Sequence, residues 1–152
     1  MFNLSLKSKP LTIETEQSFV KEGDFQVAEF QVGDQVTGIY KTGKYIGEVT
    51  DIRPQAYLVR VLAVLKHPMQ GDLHSPKDAD ALIFHERRAL SYREQANIPK
   101  PMVKAFTEEI PDYKESLQTA LASMKQQLLE DGSKWAELSL RNVEALEKDY
   151  FN

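Results

Sequence analysis

Hydrophobic positions along this chain change period once. From Phe25 to about Arg93 they favour the two-residue alternation of strands, and beyond Pro99 they recur every three or four residues. In the first part, Phe30 and Val32 lead into a Gly33-Asp34 turn, and Gln35 to Tyr40 carries the β-formers Val36, Thr37, Ile39 and Tyr40. Lys41-Thr42-Gly43-Lys44 reads as a hairpin turn with Gly43 supplying a positive φ, and Tyr45 to Thr50 returns as the second strand. After Arg53-Pro54-Gln55, the run Tyr57 to Leu65 is apolar on both faces except at Arg60, which predicts a central strand covered on both sides. Ala81 to His85 and Arg88 to Arg93 are expected to supply the remaining strands. Phe2, Leu4 and Leu6 also alternate, but Pro10 cuts the pattern, and residues 1–24 carry no clear periodicity.

The helical part has firmer punctuation. Met102, Val103 and Phe106 are expected to open a short helix, and Ile110-Pro111-Asp112 a longer one with proline in its first turn. Tyr113, Leu117, Leu121, Met124 and Leu128 make one apolar stripe that Gly132 ends. Ser133 caps a last helix whose stripe is Trp135, Leu138, Val143, Leu146 and Tyr150, and the short link predicts an antiparallel helix pair. The fold class expected is α+β. A small antiparallel SH3-like β barrel or rolled sheet over 30–98 follows an N-terminal extension over 1–29 and carries a helical region over 99–152 packed on it.

Length and composition narrow the chemistry. A chain of 152 residues buries enough surface to fold without covalent or metal staples. It has no cysteine, so disulfides, thiolate metal sites, cysteine nucleophiles and lipid attachment through cysteine are all excluded for it. No run approaches the ~20 apolar residues of a membrane span, and a cytoplasmic location is expected. The net charge of −4 argues against a general nucleic-acid binder, although 31–104 is net basic and 105–152 net acidic.

No constellation of catalytic type stands out. Gly38-Ile-Tyr-Lys-Thr-Gly43-Lys44 matches a phosphate-binding loop until Tyr45 takes the place of the magnesium-ligating hydroxyl, and the following residues read as strand rather than helix. His67 and His74 share a loop with Asp72, and His85 lies beside Glu86, but neither spacing is that of a zinc site. Glu108-Glu109 and Glu130-Asp131 fall at helix ends, without the buried cleft a general acid needs. No catalytic, cofactor or metal residues are therefore expected, and the chain reads as a non-enzymatic binding module. Arg87 and Arg88, with Tyr92, Arg93, Lys100 and Lys104, are consistent with a nucleic-acid-binding barrel as the rival function or with ordinary solvated charge. The loop from Lys66 to Lys77 is too long for a mere connection. An interaction surface is expected on it and its neighbours: Tyr40, Tyr45, His67, Met69, Leu73, His74, His85, Arg87 and Arg88. The competing expectation is that Met69 and Leu73 fold inward as core.

Six segments carry a resemblance: Val36 to Val49, Val61 to Pro68, Gln70 to His74, His85 to Leu90, Arg93 to Pro99 and Ile110 to Tyr113. Together they resemble the kinase-associated protein B (kinase-associated lipoprotein B) family of sporulating bacilli, from about Phe30 to the C-terminus. The resemblance implies an antiparallel β domain with a helical extension. It also implies a regulatory role, helping a membrane sensor histidine kinase feed the phosphorelay that commits a cell to sporulation, with that kinase or another phosphorelay component as partner. It carries over no catalytic or ligand-binding residues, and it leaves a homodimer open. The lipoprotein name implies a lipid-bearing cysteine that this chain lacks, so no direct lipid anchor is expected and membrane proximity would come through a partner.

Overall fold

The computed structural model describes residues 29–72, 76–80 and 84–152. The alternation at Phe2–Leu6, the Phe25–Val27 segment, most of the expected 81–85 strand, and Leu73 and His74 lie outside the described residues. The fold is α+β. Strands β1 (Gln35–Tyr40), β2 (Gly43–Ile52), β3 (Ala56–Lys66), β4 (Gln95–Pro99) and β5 (Val103–Ala105) form one antiparallel sheet in the order β4-β3-β2-β1-β5. Helices α1 (Tyr113–Asp131) and α2 (Lys134–Tyr150) follow.

The β1–β2 hairpin turns on Lys41 and Thr42, with φ of 48° and 71°, and not on Gly43 as expected. Such two-residue hairpins require positive φ at both central positions because that twist matches the flanking strands. Gly43 serves a different need: a Cβ there would stand 2.5 Å from the Tyr45 hydroxyl. Between β2 and β3 the register slips at three places, and slips of this kind bend and twist strands. The sheet curls enough that a Cβ on Gly38 of β1 would meet Ile98 Cδ1 of β4 at 2.6 Å, although two strands separate them in the order. Val36, Val49, Tyr57, Val59, Ile98 and Val103 fill the inside of the curl, and Phe30 closes it with its ring on Tyr57.

Three expectations are corrected. β3 is deeply buried on one face, while on the other Leu58, Arg60 and Leu62 are only half-buried. Residues 84–93 form no strand but a loop and turn, and the fourth strand starts at Gln95. The short helix at 102–106 is a single 3-10 turn, Lys100–Met102, followed by β5, which pairs with β1. Pro99 and Pro101 limit that turn to one residue triplet, and Val103 is buried as part of the sheet core. The sheet thus runs on beyond residue 99.

The helices form where expected. Asp112 caps α1 by accepting the Glu115 amide, so Pro111 sits just outside the helix rather than in its first turn. Gly132 ends it in the left-handed region at φ 68°, and Ser133 caps α2 by accepting the Ala136 amide. The chain folds back so that Lys125 reaches Glu147 at 2.8 Å. Leu117, Leu121, Met124 and Leu128 of α1 pack with Trp135, Ala136 and Val143 of α2 over Tyr45, Val61 and Val64 of the sheet. α1 also covers the part of β3 that β4 leaves unpaired: Val64 donates its amide to the buried Ser116 hydroxyl at 2.9 Å. A bare strand edge of this kind otherwise exposes unpaired backbone groups.

Candidate functional site

The two irregular segments, His67–Asp72 and Phe84–Glu94, are held together and held to the helices by side chains. His67 is fully buried. Its Nδ1 lies 3.0 Å from the Pro68 carbonyl and its Nε2 2.9 Å from the Tyr150 hydroxyl. A carbonyl can only accept, so Nδ1 carries the proton, Nε2 accepts from Tyr150, and Tyr150 in turn accepts the Ala89 amide at 2.9 Å. Burial pushes the imidazole down to about 4, with the Pro68 carbonyl opposing part of that shift.

Leu90 is satisfied by two tyrosines. Its amide donates to Tyr45 at 3.2 Å, and its carbonyl accepts from Tyr113 at 2.5 Å. Burial raises both phenols above their ordinary range, Tyr113 to about 12. They stay protonated, Tyr113 as a donor and Tyr45 as an acceptor, and gain no nucleophilic character. Buried Gln70 donates to the Pro68 and Arg87 carbonyls and accepts the Arg87 amide at 2.9 Å. Its own carbonyl accepts from Trp135 of α2 at 3.3 Å.

Set against this clasp, the residues expected on one surface divide. Tyr45 and His67 are withdrawn from it, because both are buried and their polar atoms are used internally. Tyr40 is half-buried and packs against both core clusters. Met69 is half-buried against the helical core, and its amide donates to Thr42 Oγ1 at 2.9 Å. His85 and Arg88 are exposed, and Arg87 is half-buried. Arg87 donates through Nε to the Gly71 carbonyl at 3.0 Å. Arg88 lies 2.6 Å from Asp149 and 5.1 Å over the Tyr150 ring. Both guanidinium groups are therefore already engaged within the chain. Gln70, Ser116 and the Tyr150 hydroxyl, which organise this region, carried no local signal: spacing placed Tyr150 on a stripe but could not show its partners.

Among the described residues no group of three or more His, Asp or Glu is placed to hold a metal ion. Among the same residues no helix is long and apolar enough to cross a membrane. The Gly38–Lys44 segment is the β1–β2 hairpin, without the helix a phosphate-binding loop needs.

A five-stranded antiparallel sheet clasped to a helical hairpin through two tied loops defines an α+β module. The chain belongs to the kinase-associated protein B family, whose model matches residues 40–151. Kinase-associated lipoprotein B of Bacillus subtilis (strain 168) is 60% identical over 126 residues, which is 83% of this chain and 98% of that protein. A crystal structure of kinase-associated protein B from Bacillus cereus shares 52% identity at a TM-score of 0.70, over 82% of this chain and 100% of that one.

Proposed function

We propose that the chain is a non-enzymatic regulatory module that assists a sensor histidine kinase in feeding the sporulation phosphorelay. The observation that carries the proposal is the 60% identity to a kinase-associated lipoprotein over nearly that protein's whole length. We read the sheet as an SH3-like barrel. Strand order β5-β1-β2-β3-β4, a 3-10 turn between the last two strands, and the approach of Gly38 to Ile98 support that reading. We keep the surface expected around residues 66–77 in exposed His85 and Arg88 and half-buried Tyr40 and Met69, with Tyr45, His67 and Arg87 as its supports.

The test is a pairwise one. The purified chain is crosslinked to individual sensor kinases and phosphorelay proteins from a sporulating relative, and phosphotransfer is followed with and without it. Saturable capture of one of them, with a changed phosphotransfer rate, supports the reading. Capture of none, or hydrolysis of ATP lost on Lys44→Ala, sinks it. The nucleic-acid alternative would show as a salt-sensitive shift of an RNA or DNA oligomer lost in an Arg87→Ala/Arg88→Ala variant. Engagement of both arginines within the fold weighs against it.

A further inference from the structure

Where β3 ends, Lys66 and Lys77 line a depression, and Lys41 and Lys44 lie on the adjoining β1–β2 hairpin. Lys66 stands directly across from Lys44 of β2, a like-charge pairing that is unfavourable unless something answers it. Lys41 sits at the hairpin tip, which Thr42 ties to the Met69 amide at 2.9 Å. On the far side, Lys77 holds its Nζ 5.5 Å over the Trp135 ring. Among the described residues, none of the four has a carboxylate within ion-pair distance. Lys41 and Lys77 moreover keep φ of 48° and 62°, a left-handed backbone in which glycine or asparagine would be less strained.

Beside Lys66 and Lys77 runs a groove made of two adjacent cavities, about 240 and 200 Å³, that share Lys66, Met124 and Gln127. Its walls are apolar at Leu65, Met69, Met124, Leu128 and Trp135. Leu65 is 43% exposed, and Ile39, directly across from Lys44, is 42% exposed. Among the described residues one carboxylate lines it, Asp131, which accepts the Ser133 amide at 3.0 Å and feels the charge of Lys77.

We propose that this groove binds an acidic segment of a partner protein. Carboxylates of that segment lie against Lys41, Lys44, Lys66 and Lys77, and an apolar side chain enters beside Leu65 and Met124. The proposal rests on reading the chain as a protein-binding module and not on which kinase it serves. Charge complementarity selects an acidic occupant. The concave, methionine-lined wall selects a peptide over an anionic bilayer, because a bilayer surface does not enter a groove and would meet Asp131 in its lining.

The test titrates the full chain against a fluorescein-labelled peptide of glutamates interleaved with leucines. Its glutamine-for-glutamate counterpart, its serine-for-leucine counterpart and phosphatidylglycerol vesicles serve as comparisons. The acidic peptide should bind, with affinity falling as salt rises, and Lys44→Glu/Lys66→Glu should weaken it about tenfold or more at an unchanged melting temperature. The serine peptide should bind more weakly than the leucine one. Equal binding of the glutamine peptide, indifference to the charge reversal, or preferential uptake by the vesicles overturns the proposal. A chain that binds the peptide but no sensor kinase keeps the groove and loses the pathway reading. A chain whose charge-reversed variant captures the kinase as well as the parent does, while neither binds the peptide, loses the groove alone.

Discussion

His67 shows how far a single side chain can depart from what its neighbours in sequence suggest. Set in a loop with His74 and Asp72, it reads as a polar surface residue, yet its partner Tyr150 lies 83 positions downstream, and no local pattern reveals such a contact. The burial has a consequence for pH. The unfolded chain takes up this proton near 6.5, whereas the folded one resists until about 4. Stability is therefore complete above 6.5, falls as pH drops from there to about 4 by on the order of 3 kcal/mol, and levels off below. Urea midpoints measured across that window should show the slope, and His67→Gln should flatten it; a slope unchanged in the variant would place its origin elsewhere. Ser139 offers the opposite case. Its hydroxyl is buried without a partner among the described residues, so Ser139→Ala should be neutral or stabilise by up to about 1 kcal/mol. Thermal melts decide it, and a clear loss would mean the hydroxyl is bonded.

At the scale of elements, legibility followed length and punctuation. β1 to β3 and both helices showed themselves because each runs six residues or more, long enough for a period to register, and turn or capping residues mark their ends. β4 and β5 are five and three residues long, too short for a period to establish itself, and β5 exists because Val36 to Gly38 need pairing partners. Glycines illustrate the same division. Gly132 was readable as a helix stop, and with nothing within 4 Å of a Cβ there the whole cost of Gly132→Ala is backbone strain, about 1–2 kcal/mol. Gly47 was not readable at all. A Cβ on it would clash with the Arg60 backbone and would lie 2.5 Å from Val59 Cγ1. Gly47→Ala should therefore cost more than Gly132→Ala, because a backbone carbonyl in a central strand cannot give way. Denaturation midpoints of the two variants check the ranking, and the reverse order would show that β2 and β3 can part locally.

For the whole molecule, the change of period near Pro99 suggests a boundary between a β body and a helical region. Physical contacts cross that line in several places. Residues beyond it supply β5 to β1, Ser116 to the free edge of β3, and Tyr113 and Tyr150 to the loop at Ala89 and Leu90. Tyr40 packs against both hydrophobic clusters, one inside the curled sheet and one under the helices. With the edges and loops of the sheet completed by the C-terminal part, the two should unfold as one cooperative unit. Trp135, the chain's one tryptophan, is buried in the helical cluster and reports on that side. Val36 is fully buried in the other cluster. Val36→Ala should cost about 2 kcal/mol, two methylenes' worth of burial plus a small cavity. If the unit is single, that distant loss lowers the Trp135 fluorescence midpoint and the far-ultraviolet circular dichroism midpoint together, by on the order of 5 °C. A Trp135 transition that stays in place while the sheet signal moves would show two units divided near residue 99, with the clasp at His67 and Tyr150 a docking contact between them.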